Sequence, residues 1–233
     1  MKSRKDNIIT EWNFAADNYM KQQEQSSFVS INKQIIMKRF PKLNNENVLD
    51  LGCGYGVYTN HFRTVNANAI GIDGSKEMLR LAKEQYPDCH FELADFNQPL
   101  PFSDNSFDII LCNQVLMDIE NIDLIFSECQ RILKKNGIFF YAIVHPAFYD
   151  AEWLEDENHF KYAKVISNYI EPYQFKNTFW GETTHFHRPL SEYLNTASKN
   201  GFMLIHTEEP VSYDGKTKTK DLPLFFIAEY RKI

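Results

Sequence analysis

Short apolar runs alternate with amphipathic stretches from about residue 46 to residue 145. Residues 46–51 (ENVLDL) form an apolar run that ends in a glycine-rich turn, the pattern of a buried strand. Residues 57–66 read as a modest helix, interrupted in quality by Thr59, Asn60 and Thr64. Residues 68–72 (NAIGI) give a second strand, closed by Asp73-Gly74. Ser75 is a suitable N-cap for a helix whose formers run from Glu77 to Glu84. Residues 89–94 and 107–112 (FDIILC) predict a third and a fourth strand. Leu124, Ile125, Cys129, Ile132 and Leu133 share one face of a helix over 123–133, and Lys134-Lys135-Asn136-Gly137 supplies the charge and the glycine that close it. Residues 138–144 (IFFYAIV) are the most hydrophobic strand candidate in the chain.

This alternation predicts an α/β fold, a doubly wound and mostly parallel sheet with helices on both faces. It breaks at residues 146–188, which carry many aromatics, Glu, Asn and His without a clear period. It resumes with a helix over 189–200, framed by Pro189 and Gly201. Strands over 202–208 and 223–230 follow, joined by a polar loop suited to an antiparallel hairpin, which brings the sheet to seven strands. The expected organisation is one domain over 1–233: an N-terminal segment of one or two helices (1–45), a core (46–145), an insertion (146–188), and a final helix and hairpin (189–233).

The chain has 233 residues, enough for one sizeable core, and its 43% hydrophobic and 24% charged content is that of a globular domain. A formal charge of -6 argues against a broad nucleic-acid or anionic-membrane surface, both of which need clustered Lys and Arg. Cys53, Cys89, Cys112 and Cys129 form no C-x-x-C pair and suit a reducing compartment. The N-terminus lacks the apolar region of a signal peptide, and no run of about 18 apolar residues is present, so the expected location is cytoplasmic.

The most informative stretch is Val48-Leu49-Asp50-Leu51-Gly52-Cys53-Gly54-Tyr55-Gly56. A glycine turn after a first strand lets backbone approach a ligand because no Cβ intrudes. Asp73 lies about 20 residues further on, at the end of the next strand, where a carboxylate can accept both hydroxyls of a ribose. Val57 stands where a dinucleotide fingerprint would place its third glycine. The segment instead resembles the first motif of the class I S-adenosylmethionine-dependent methyltransferases, D-x-G-x-G-x-G. Ile72-Asp73-Gly74-Ser75-Lys76-Glu77-Met78-Leu79 resembles the ribose-acid strand and the helix after it. Ala94-Asp95-Phe96 with Leu100-Pro101-Phe102, Phe107–Asn113, and Ile132–Gly137 resemble the later motifs in order. Within the superfamily the chain looks most like the group that contains the ubiquinone/menaquinone C-methyltransferases and many small-molecule enzymes.

The resemblance implies S-adenosylmethionine as cofactor and assigns residues to it. Asp50 belongs to the motif, and Gly52, Cys53 and Gly54 would line the methionine part. Asp73 would hold the ribose. Gly74 or Met78 would pack near the adenine, although Met78 is equally suited to plain helix core. Asp95 would accept from the adenine amine with the Phe96 backbone nearby, or serve as a turn cap. The Asn113 backbone carbonyl would meet the methionine ammonium. Trp12-x-x-x-Ala16-x-x-Tyr19 resembles the opening segment of many of these enzymes, with Tyr19 closing over the cofactor or packing in a core.

Methyl transfer from a sulfonium is an in-line displacement that rests on proximity, with a base needed only when the nucleophile must lose a proton. His145, at the end of the fifth strand, is the catalytic candidate, unless it merely caps that strand before Pro146. His185, His187 and Tyr173 in the insertion are the others. His185-x-His187 with His159 is too sparse for a metal site, and none is assigned. Trp153, Phe160, Tyr162, Tyr169, Tyr173, Phe175, Phe179 and Trp180 make residues 146–188 a candidate lid over an apolar or aromatic small-molecule acceptor, or a segment that packs on the sheet or on another subunit. A non-catalytic S-adenosylmethionine-binding partner protein is the alternative function. Cys112-Asn113-Gln114-Val115 departs from the N/D-P-P-Y/F pattern of nucleic-acid amino-methyltransferases. Oligomeric state is left open.

Overall fold

The computed structural model describes residues 4–25 and 29–233; residues 1–3 and 26–28 of the expected N-terminal segment lie outside it. Two helices, α1 (Arg4–Gln25) and α2 (Val29–Arg39), precede an alternating unit: β1 (Asn47–Leu51), α3 (Val57–Thr64), β2 (Asn68–Asp73), α4 (Lys76–Gln85), β3 (His90–Leu93), β4 (Phe107–Asn113), α5 (Ile122–Ile132) and β5 (Leu133–Val144). A 3-10 turn over Leu116–Asp118 lies between β4 and α5. The insertion forms β6 (Glu152–Glu155), β7 (Lys161–Val165), β8 (Tyr173–Asn177) and β9 (Thr183–His187), and α6 (Leu190–Lys199), β10 (Phe202–Glu208) and β11 (Phe225–Lys232) complete the chain.

The main sheet has seven strands in the order β10-β11-β5-β4-β1-β2-β3. β1 to β5 pair in parallel, while β11 is antiparallel to both β5 and β10. The last strand therefore enters between its hairpin partner and β5. Strand order reverses where β1 leaves β4 for β2, and the crevice at the C-terminal ends of these strands is where open α/β sheets bind ligands.

Period-two alternation sorts the strand residues onto two faces. Ile109 and Leu111 of β4 and Phe140 and Ala142 of β5 pack with Ile36 of α2, Phe40 just after it and Phe62 of α3. Ile110, Cys112, Phe139, Tyr141 and Ile143 pack on the other face with Ile125, Phe126 and Cys129 of α5 and Tyr193 and Ala197 of α6. All four cysteines are free thiols.

Two expectations need correction. The Lys134–Gly137 stretch is not a helix end but the start of β5, because Asn136 takes a left-handed φ of 65° that bulges the strand while Leu133 already pairs with Phe107. The aperiodic insertion is two antiparallel hairpins, β6–β7 and β8–β9. In the second, Tyr173 and Phe175 face His187 and His185 across the strands, with Tyr173 and His187 stacked at 4.4 Å. The spacing of the two histidines is therefore the alternation of a strand, and among the described residues no group of three or more His, Cys, Asp or Glu can hold a metal ion.

Candidate active site

The loop after β1 is built for close approach. Gly52 and Gly54 hold φ of 74° and 53°, a region that side chains penalise. A Cβ on Gly52 would meet the Val115 side chain at 2.2 Å, whereas the same atom on Gly54 would enter open space with nothing within 4 Å. Gly52 N–H and Cys53 N–H donate to Ile72 O at 2.8 and 2.9 Å, which pins the loop to β2.

Asp73 ends β2 beneath this loop. One carboxylate oxygen accepts from Gly54 N–H at 2.9 Å and the other from Ser75 N–H at 2.8 Å. The Gly74 backbone N–H also supports the carboxylate, which borders the crevice and keeps acceptor capacity beyond these donors. Burial pushes the carboxyl up to about 6. Ser75 caps α4, accepting from Met78 N–H at 3.2 Å, and its hydroxyl donates to Asn13 of α1 at 2.8 Å. Asp50, counted with the cofactor residues from the motif, borders none of the three cavities below. It is buried under the loop, accepts from the Thr59 hydroxyl at 2.6 Å, and is pushed up to about 7 by burial. Its place is to support the loop rather than to touch a ligand.

Three neighbouring cavities lie at the C-terminal edge of β1 and β4. The first, about 110 Å³, is bordered by Tyr19, Gly52, Gly54, Asp73, Gly74, Met78, Asp95, Phe96 and Asn113, so nine predicted residues converge there. The Asp95 carboxylate also accepts from Asn97 N–H at 2.9 Å, the turn-capping alternative, while still facing the cavity. Both readings of Met78 hold as well, since it is buried against α1 and borders the same space. A second cavity, about 280 Å³, takes in Cys53 together with Gly52, Gly54 and Lys33.

The third cavity, about 390 Å³, is lined by Tyr58, Tyr149, Trp153, Phe175, Phe179 and Trp180 among others. Tyr19 and Asn113 border all three spaces. The Tyr19 ring packs edge-on against Trp12 at 5.3 Å and Trp180 at 5.0 Å. Helix α1 and the β8–β9 hairpin together make the roof. Glu11 accepts from both Thr184 N–H and its hydroxyl at 2.8 Å and pairs with Lys176. Asn18 and Gln22 donate to Trp180 O and Phe179 O at 2.8 and 2.6 Å.

His145 does not face this roofed space. It is buried; Ala147 N–H donates to its Nδ1 at 3.2 Å, and its Nε2–H donates to Glu209 at 2.7 Å. The ring packs tilted on Phe148 at 4.6 Å and borders a small cavity of about 20 Å³ that adjoins the aromatic one and shares Tyr149, Asp150 and Phe175 with it. With both nitrogens engaged it ties the end of β5 to the segment before β11, so the expectation of a catalytic base there is not carried forward. Sequence reading passed over Asp118 and the side chain of Gln114. Asp118 borders the first cavity, and its Oδ1 has no hydrogen-bond partner among the described residues. It lies 3.6 Å from Nε2 of the fully buried His185, and burial drives Asp118 up and His185 down to about 4, so both favour their neutral forms. The Gln114 amide, likewise without a partner, borders both the first and third cavities. The only sequence signal for either is position shortly after β4.

Comparison with known proteins agrees with this geometry. Residues 42–192 match the methyltransferase domain family. A ubiquinone biosynthesis O-methyltransferase of Pelagibacter ubique is 31% identical over 106 residues, covering 44% of each chain. A malonyl-[acyl-carrier protein] O-methyltransferase of Buchnera aphidicola is 31% identical over 117 residues, covering 50% of this chain and 47% of the relative. The match thus spans about half the length of these curated relatives. Among solved structures, a candidate S-adenosylmethionine-dependent methyltransferase from Listeria monocytogenes superposes with a TM-score of 0.75 at 25% identity, over 88% of this chain and 97% of that one. An S-adenosylmethionine-dependent methyltransferase from Mesorhizobium loti gives 0.71 at 23% identity, over 85% and 96%, a likeness of fold. Among the described residues no helix is long and apolar enough to cross a membrane. The glycine loop, the strand-end acid and the seven-stranded sheet are those of the class I, S-adenosylmethionine-dependent enzymes, and the chain belongs to the methyltransferase domain family.

Proposed function

We propose that the protein transfers a methyl group from S-adenosylmethionine to a small molecule held in the aromatic cavity. The observation that carries this reading is that the cavity bordered by Asp73 and Asp95 adjoins the 390 Å³ aromatic one, the two sharing Trp12, Tyr19, Asn113 and Gln114. The residues fit the cofactor: Asp73 retains acceptor capacity for two ribose hydroxyls, Gly54 leaves open space, and the unpartnered Asp118 oxygen suits a cationic ligand. Met78 and Phe96 would enclose the adenine, and Asp95 would accept from its amine. Gly52, Cys53, Gly54 and Lys33 would hold the methionine carboxylate, and the Asn113 carbonyl its ammonium. Bound there, the cofactor supplies an electrophilic methyl on a sulfonium, which an in-line nucleophile displaces.

The protein's own part is positioning and exclusion of water. Tyr19, Trp12 and Trp180 close over the boundary between the two cavities, and the aromatic lining holds the acceptor. A cavity of this size and apolar lining suits a small molecule, and the net charge of -6 does not suit a nucleic acid. No partner protein is needed by this reading.

The test is calorimetry followed by turnover. S-adenosylmethionine and S-adenosylhomocysteine should bind saturably and NAD without comparable heat. A panel of phenols and aromatic acids should then contain a compound that drives S-adenosylhomocysteine formation. Binding without turnover on any acceptor would favour a non-catalytic S-adenosylmethionine-binding protein. Saturable NAD binding alone would overturn the reading.

A further inference from the structure

Lys164 of β7 lines the aromatic cavity at a place that the other two cavities do not share. Its Nζ donates to the carbonyls of Phe148 and Tyr149, the second at 3.3 Å, which leaves one of three N–H donors. The ammonium lies 4.7 Å from the ring centroid of Trp153. Lys218 approaches the same ring at 5.9 Å and Tyr213 at 5.5 Å, and the two rings meet edge-on at 5.0 Å. Two cations therefore converge on one aromatic pair inside a cavity wall.

Lysines outnumber carboxylates in the lining of this cavity, although Asp214, outside that lining, attracts Lys218. Lys164, Lys176 and Lys218 line it against one carboxylate, Asp150. Lys176 is neutralised by Glu11 of α1, and Asp150 accepts from the Tyr173 hydroxyl at 3.1 Å. Among the described residues no carboxylate comes within ion-pair distance of Lys164, whose ammonium is pushed down to about 8 by burial and by the charge of Lys218, against the partial attraction of Asp150. Contact with aromatic faces offsets part of the mutual repulsion, and an anion would offset the rest. Lys164 bonds to the Tyr149 carbonyl and the Tyr149 ring packs on Phe175 at 6.2 Å, while Trp180 packs on Phe179 at 6.1 Å and on Tyr19 at 5.0 Å, so the lysines and Tyr19 sit against different parts of the aromatic wall.

We propose that the acceptor carries an anionic group, a carboxylate or a phosphate on an aromatic or aliphatic body, and that Lys164 and Lys218 anchor this group away from the methyl-transfer point. The proposal rests on the reading of the aromatic cavity as the acceptor site. Anchoring at the lysines would leave the opposite end of the molecule beside Tyr19 and Asn113, so the methylated atom and the anion are distinct groups of one compound.

The experiment compares three probes with the same phenyl body by calorimetry at low ionic strength: 4-phenylbutyrate, 2-phenylethyl phosphate and the uncharged 4-phenylbutyramide. Each is titrated into the protein with and without saturating S-adenosylhomocysteine. At least one anion should bind about tenfold tighter than the amide, and the tighter of the two identifies the anchored group. In Lys164→Gln the preference should fall below about threefold, and in Lys164→Gln with Lys218→Gln it should vanish, with S-adenosylhomocysteine affinity unchanged. Anion and amide affinities within about twofold of each other, or no saturable anion binding, would overturn the proposal, as would a preference that survives the double substitution. The wild-type comparison needs no variant to fold. Failure to bind S-adenosylhomocysteine would count against the methyltransferase reading alone, because the preference for an anion is scored in the free protein as well.

Discussion

Asp73→Ala is expected to weaken S-adenosylhomocysteine binding by about a hundredfold or more, since two hydrogen bonds to a carboxylate contribute roughly 1.5 kcal/mol or more each. The loss should exceed the ribose contacts themselves. The same carboxylate orders the loop through Gly54 N–H and the start of α4 through Ser75 N–H, so removing it loosens the walls that meet the ligand. The core should survive, because Asp73 sits at a strand end where the sheet opens. The wild type should also show a pH signature. Its carboxyl titrates near 6 in the free protein, so affinity should fall as pH drops below that value, and the variant should show no such fall. Isothermal titration over pH 5 to about 8 measures both effects. A folded variant with unchanged affinity would remove Asp73 from the site.

The largest stability effect is expected from Asp50→Asn. In the folded protein burial raises this carboxyl from 3.8 to about 7, with Asp73 adding to the rise. A raised folded value means that the native state holds its proton more tightly than the unfolded chain does. The wild type is therefore relieved of this cost below about pH 4 and loses up to about 4 kcal/mol as pH rises through about 7. Asn keeps the acceptor for the Thr59 hydroxyl and cannot ionise, but it brings an amide that lacks an assured partner, which costs about 1–3 kcal/mol at every pH. The diagnostic is thus the slope: urea unfolding at several pH values should show the wild type losing stability toward neutral pH more steeply than the variant. Parallel profiles would mean that Asp50 is not a strained acid. Retention of such a residue beneath the glycine loop fits a site meant for a cationic ligand, which stabilises the ionised form.

What was legible in the chain follows from range. The seven strands were marked by local apolar runs, and the loop with Asp73 by residues whose roles depend on neighbours within one β-α-β unit. Asp95, Phe96 and Met78 came with that unit. The β8–β9 hairpin was hidden although its signal was present: Tyr173 and Phe175 alternate with Gln174 and Lys176, but five residues are too few to separate such a pattern from aromatic-rich irregularity. The roof was not legible at all. Glu11 meets Thr184 and Asn18 meets Trp180 across more than 160 positions, and nothing local announces such pairings. Asp118 and His185 are the same case, joined only through the packing of β9 on the turn after β4. His145 shows the converse. Position after β5 suggested chemistry, but the bonds to Ala147 and Glu209 turn its ring elsewhere.

The central claim concerns where the cofactor lies and which way it points, and a crystal structure with bound S-adenosylhomocysteine measures this directly. Both ribose hydroxyls should lie within hydrogen-bond distance of the Asp73 carboxylate, the adenine between Met78 and Phe96, and the sulfur beside Tyr19 and Asn113, facing the aromatic cavity. A ligand bound with its adenine in the aromatic cavity, or with its ribose out of reach of Asp73, would contradict it.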